Sequence, residues 1–308
     1  MKNRVMLGLA IAGLAVALGG ARADADSYAY TTLDVPGATA TFADGIYDQT
    51  VVGSYLDGDN VSHGFTETGG NYSTLDVPGA ANTYVSAIFG DTVVGYYFDG
   101  STNHGFIKTG SGFTYFDAPY ATSTSITGVS GNTIAGYYTD GNGTHGFTNT
   151  GSDFTILDAI SPPGTTSVNG VSGNTVVGFY FDGTAFTSFS ETGGVYTPLS
   201  VPHSDSGSTL AYGISDSTIV GQFSDGLGTH GFAKTGSAFA TLDDPSATGG
   251  TLAVGISDTI IVGFYGDDTG VHGFVATPVP LPAAFWPGMT ILGGFGVVAG
   301  LRRQLLRL

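Results

Sequence analysis

Apolar residues in this chain do not keep a helical period. They come in short runs that are apolar on both faces and are cut by Gly, Asp, Asn and Ser. The run Thr133 to Tyr138 meets an Asp-Gly turn and leaves through His145-Gly146-Phe147. This pattern predicts a β-hairpin whose strands are covered on both sides. Variants recur along the chain, and the Phe that closes each falls at 65, 106, 147, 189, 232 and 274, a step of 41 to 43 residues. Six near-equal units therefore fill the stretch from Tyr28 to Thr277. Each offers four strand candidates in one order, which in the second unit are Thr83–Phe89, Thr92–Phe98, His104–Thr109 and Phe113–Ala118. Four strands in about 42 residues, repeated six times, predict an all-β fold, a six-bladed β-propeller of four-stranded blades. Such a blade is sandwiched between two neighbours, which is why both of its faces are apolar. An open solenoid would need polar caps at its ends, and none is evident.

The repeated positions have physical reasons. Asp-Gly pairs at 57, 99, 140, 182 and 225 supply residues that tolerate a hairpin turn, with Gly266-Asp267-Asp268 in the sixth unit. Gly53, Gly95, Gly136, Gly178, Gly221 and Gly263 sit mid-strand, where a missing side chain admits a neighbouring backbone or ring. Tyr97, Tyr138, Tyr180 and Tyr265 follow two residues later and are expected to bury large area between blades. Segments such as Leu33-Asp34-Val35-Pro36 end an outer strand, because Pro donates nothing to a ladder. The sixth unit has no segment of this kind after it. The stretch Tyr28 to Val35 is thus expected to close the last blade beside His272 to Thr277 and remove the open edge.

Composition adds a compartment. There are 51 Gly, 11% charged residues, no Cys and a net charge of −17. Only Lys108 and Lys234 stand between Arg22 and Arg302, against all 25 acids, and a field of that sign repels nucleic acid. Residues 1–25 read as a signal peptide, with Lys2 and Arg4, an apolar run from Met6 to Leu18, and small residues spaced for cleavage after Ala23 or Ala25. Residues 26–278 form the repeat domain. In residues 279–308, Val279-Pro280-Leu281-Pro282-Ala283 precedes an uncharged span long enough to cross a bilayer, followed by Arg302, Arg303 and Arg307. The arginines predict a transmembrane helix with its C-terminal end in the cytoplasm and the acidic body outside.

This tail resembles the PEP-CTERM family of bacterial sorting signals in its VPLPA variant. The resemblance implies recognition by an exosortase-type membrane enzyme and delivery to the cell surface or extracellular matrix. Pro287 and the Gln304-Leu305-Leu306 interruption depart from the usual pattern. The unit GVSGNTIAGYYTDGNGTHGF is similar to the HAF-type bacterial extracellular repeats, although the fourth unit has Thr187-Ser188-Phe189 in place of His-Gly-Phe. That resemblance implies an exported repeat protein and brings no catalytic residues.

Candidate chemistry is sparse. His63, His104, His145, His230 and His272 share one repeat position, where a hairpin-bonding role outweighs a metal ring because equivalent outer positions of a propeller lie far apart. His203 is off-pattern, near Asp205. The run Asp140-Gly141-Asn142-Gly143-Thr144 brushes a calcium-loop pattern without its spaced ligands, so no cofactor is expected. The last inward position of the innermost strand is taken in turn by Asp44, Ser86, Thr127, Asn169, Tyr212 and Val254. This ring varies where the rest repeats, which makes it the candidate ligand contact, and it holds one carboxylate and no base. The sequence therefore points to a non-enzymatic, surface-sorted matrix component that contacts polysaccharide or a surface protein. The alternatives are a propeller glycoside hydrolase or lyase using Asp44 with a loop carboxylate, and a calcium-dependent adhesin.

Overall fold

The computed structural model describes residues 28–159, 164–202, 204–205 and 208–279. Residues 1–25, read as a signal peptide, residues 280–308, read as a sorting signal with a membrane span and Arg302 and Arg303, and His203 lie outside the described residues. Among the described residues no helix is long and apolar enough to cross a membrane.

Among the described residues all regular structure is β, and they form a β-propeller with four-stranded blades. An antiparallel four-strand ladder recurs six times, its first strands being Ala40–Tyr47, Asn82–Phe89, Ser123–Ser130, Thr166–Ser172, Leu210–Ser215 and Thr251–Ser257. Each of these innermost strands packs against the next, and Thr251–Ser257 packs against Ala40–Tyr47, so they follow one another round a closed circle. Outermost strands end at Leu33, Leu75, Phe116, Leu157, Leu199 and Leu242, and the next residue is an Asp in every unit but the fourth, where Ser200 follows Leu199.

A count of six four-stranded blades is the expectation, and the sheets correct it. As hydrogen-bonded sheets there are four of four strands and one of eight, the latter joining the first and sixth ladders. The junction is a single parallel pair, Ala40 with Val271. A glycine explains it: Gly270, at φ +152°, brings the main chain to the Thr39 carbonyl, where a Cβ would stand 3.2 Å away. The same approach at Gly143, φ +136°, gives an isolated parallel bridge between Thr144 and Thr165.

Closure follows the sequence pattern. Tyr28–Leu33 pairs antiparallel with Val271–Pro278, from Tyr28 opposite Pro278 to Leu33 opposite Gly273. The first strand of the described chain is thus the outermost strand of the sixth ladder, and the edge there is covered.

The core lies between ladders. Phe65, Phe106, Phe147, Phe189, Phe232 and Phe274 are all fully buried, at the position whose spacing revealed the repeat. One cluster joins Val220, Ala233 and Leu242 of the fifth ladder to Ala253, Ile261 and Phe274 of the sixth. The mid-strand glycines admit these rings: at Gly95 a Cβ would sit 2.1 Å from the Tyr84 carbonyl and 2.9 Å from the Phe106 ring. Buried threonines at the head of the innermost strands fix the incoming links, as when Thr41 Oγ1 accepts from Val35 N–H at 3.1 Å and Thr83 Oγ1 from Val77 N–H at 3.0 Å.

Candidate functional site

Asp44, Ser86, Thr127, Asn169, Tyr212 and Val254 all line one central cavity of about 560 Å³. They share a backbone feature that sequence reasoning missed. In every innermost strand the pairing register shifts across this one residue, for example between Ala43 and Gly45 and between Ala211 and Gly213. Each is therefore the extra residue of a β-bulge, and a bulge re-aims a side chain that regular pleating would direct into a neighbouring blade. The visible signal was the Gly that follows in five of the six strands.

Where it is present, that following glycine lets neighbouring backbones close in at the bulge. At Gly213 a Cβ would lie 2.4 Å from the Val254 carbonyl, and at Gly255 it would lie 2.7 Å from the Asp44 carbonyl. The backbones of adjacent innermost strands thus meet at the bulge, and the ring of contacts runs from the sixth ladder back to the first.

The six side chains divide by partner. Thr127 Oγ1 donates to the Val168 carbonyl at 2.8 Å, and Asn169 Nδ2 donates to the Ala211 carbonyl at 3.0 Å, so both tie one ladder to the next. Asp44 and Ser86 have no protein hydrogen bond among the described residues. The Asp44 side chain keeps a half-buried opening to the channel while protein surrounds it, and desolvation holds its carboxyl well above the usual carboxylate range. Burial also raises the Tyr96 hydroxyl, helped by the nearby Tyr137, Asp44 and Tyr84, and pushes Tyr212 up to about 12. Aromatic rings complete one side of the wall. Tyr84 stacks on Tyr96 with centroids 4.8 Å apart, and Phe42 meets Phe264 edge-on at 5.1 Å.

The repeated histidines stand elsewhere, at the hairpin ends of the third strands, and each lies between two aspartates. His145 Nδ1 lies 2.9 Å from Asp158 and its Nε2 lies 3.3 Å from Asp140. His63 and His104 repeat this with Asp76 and Asp57, and Asp117 and Asp99; His230 bonds Asp243 through Nδ1, and its Nε2 lies 3.3 Å from Asp225 without forming a hydrogen bond. His272 uses Asp267 and, across the closure, Asp34 at 2.9 Å. A neutral imidazole has one N–H, so satisfying both carboxylates requires the charged form. Hydrogen bonding to Asp76 leads the upward shift of His63; for His104, His145 and His272 burial opposes the charge but their aspartates outweigh it, and the net shift is upward. The following aromatics do not fill the seams alone: Tyr55, Tyr97, Tyr138 and Tyr265 stack on these imidazoles, with centroids 5.1–5.3 Å apart.

The turn at 140–144 is filled by its own donors, Asn142 N–H reaching Asp140 at 2.6 Å and His145 approaching the same carboxylate. Among the described residues no group of three or more His, Asp or Glu is placed to hold a metal ion. The fourth unit lacks both His and its second Asp, with Thr187 and Ser200 in their places, and its Asp182 serves only the Thr184 and Ala185 amides and the Thr184 hydroxyl.

No family model matches the sequence, and no curated relative is found. Solved structures of similar shape include a mutant lectin from Aleuria aurantia in complex with Fucα1-6GlcNAc. It is 12% identical with a TM-score of 0.49, over 82% of this chain and 99% of that one. A catalytically inactive virginiamycin B lyase from Staphylococcus aureus, with quinupristin, is 13% identical with a TM-score of 0.46, over 82% and 100%. TolB from Acinetobacter baumannii is 8% identical with a TM-score of 0.49, over 73% of this chain and 63% of its own. Identities this low say nothing of what this chain binds.

Proposed function

We propose that the chain is a six-bladed, surface-sorted propeller, the eight-stranded sheet acting as two blades, and that its channel binds extracellular polysaccharide without cleaving it. The observation that carries this reading is the convergence of six unlike bulge residues on one cavity. A volume of about 560 Å³ falls within the usual range for small-molecule sites. The tyrosines and phenylalanines of the wall suit the apolar faces of pyranose rings, and Ser86, Tyr212 and Asp44 offer hydroxyl and carboxyl partners. Glycosidic cleavage ordinarily takes a pair of carboxyl groups, and among the lining residues Asp44 is the one carboxyl. Export, the exosortase-type partner and membrane attachment through the tail belong to the same proposal and rest on the sequence of residues 1–25 and 279–308.

One observation favours an enzyme as second reading. Burial makes the Asp44 carboxyl hold its proton more tightly than an ordinary carboxyl, which is the direction a general acid needs. Co-sedimentation of the protein with the extracellular polysaccharide of its source cells, with the soluble sugars sized afterwards, separates the readings. Protein in the pellet with sugar of unchanged length is expected. Shortened chains or new reducing ends would establish the enzyme, and protein left wholly in solution would contradict polysaccharide binding.

A further inference from the structure

Apart from tyrosine hydroxyls, Asp44 is the only ionisable group lining the central cavity. It has no donor among the described residues, and the tyrosines that share the cavity, Tyr84, Tyr96, Tyr137 and Tyr212, carry no positive charge. A carboxylate enclosed in this way lacks what would normally stabilise it, an adjacent cation. The wall around it is built for one. Phe42, Tyr84, Tyr96, Tyr137 and Phe264 line the same space, and aromatic rings attract ammonium groups. The surrounding chain, at net −17, further raises the local concentration of cations.

We propose that the sugar held in the channel is an amino sugar with a free amine, its ammonium seated beside Asp44 and its ring against the aromatic side of the wall. This deepens the polysaccharide-binding reading and rests on it. Ser86 and Tyr212, at the other bulges, are placed for ring hydroxyls. An N-acetylated or neutral sugar leaves the carboxyl without a counter-charge, so Asp44 keeps its proton. An ammonium partner restores the carboxylate, and that proton passes to solvent. Binding is therefore coupled to proton release.

Titration calorimetry on the whole protein at physiological salt, where distant surface attraction is screened, tests this with three probes of equal length. They are a glucosamine oligomer, its fully N-acetylated counterpart and a glucose oligomer. The amino oligomer is expected to bind at least about tenfold more tightly than either of the others. Repeating the titration in buffers of different ionisation heat should reveal protons released by the wild-type protein. In Asp44→Asn the preference and the proton release should vanish, while Asp268→Asn, at an exposed turn residue, should keep both. Equal affinity for the three probes without proton release overturns the amino-sugar inference and leaves sugar binding standing. Binding of none of them removes the polysaccharide reading and this inference with it.

Discussion

Five units close an outer hairpin with the same Asp-His-Asp bridge, whereas six bulges bring six different side chains to the channel. Both sets occupy equivalent places in the repeat, so geometry alone does not separate them. The difference lies in what each position must satisfy. A rim histidine answers to two aspartates and an aromatic ring of its own blade, needs that are the same in every unit. A bulge residue faces a space shared by all units, and only Thr127 and Asn169 also tie one ladder to the next. Sameness at the rim is what stability requires, and variety at the channel is what an asymmetric ligand would require.

Changes to the uniform set should therefore cost stability, and the largest cost falls at the buried Phe. Phe147 is fully buried and touches Phe154, Phe116 and Tyr138, with centroids 5.4 to 6.4 Å away. Phe147→Ala should destabilise by about 3–5 kcal/mol, read from denaturant unfolding. A loss under about 1 kcal/mol would mean that the blades do not share one cooperative core.

At the channel the sign should reverse. The folded pKa of Asp44 lies above its unfolded value of about 4, so the folded state holds a proton that the unfolded chain gives up. Wild-type stability should fall as pH climbs from that unfolded value up through the raised folded one. Asp44→Asn removes this dependence and should be the more stable protein at neutral pH, its advantage shrinking towards pH 4. Thermal unfolding across that window checks it, and a destabilised variant at pH 7 would show that the carboxylate has a partner.

The smallest effect belongs to a single rim bridge. The folded pKa of His145 is raised above its unfolded value near 6.5, so its contribution is fully present below about pH 6.5 and is lost as pH rises through the folded value. His145→Gln should lower Tm by about 2–4 °C below that point, and the difference should fade in mildly alkaline solution. A penalty constant with pH would assign the role to packing against Tyr138 rather than to charge.

Much of this was legible because a repeat prints the same physical demand several times. The spacing of Phe65 to Phe274 gave the ladders, and the Leu-Asp-Val-Pro pattern at Tyr28 to Val35 gave the closure. The ring of channel residues was also found, since variation stood out against the repeat. The bulges were not, because an extra residue in a strand leaves no period of its own and only Gly45 and its counterparts mark it. The double bridging of histidine was half seen. Asp76, Asp117, Asp158 and Asp243 lie 13 residues from their histidines, Asp34 lies at the far end of the chain from His272, and the sequence pattern reads them with the proline as strand ends, although the joint loss of His and Asp in the fourth unit ties them together. Fusion of the first and sixth ladders into one sheet depended on a single pair at Gly270, which no pattern of apolar residues records.

The division between rim and channel is tested most directly by one paired titration of the source polysaccharide against Ser86→Trp, which fills the channel, and His104→Gln, which breaks a rim bridge. Ser86→Trp is expected to weaken binding by at least about tenfold while its unfolding midpoint stays near that of wild type, and His104→Gln to bind as wild type does. Undiminished binding by the filled channel, or loss of binding in the rim variant, would contradict the assignment of the bulge ring as the site.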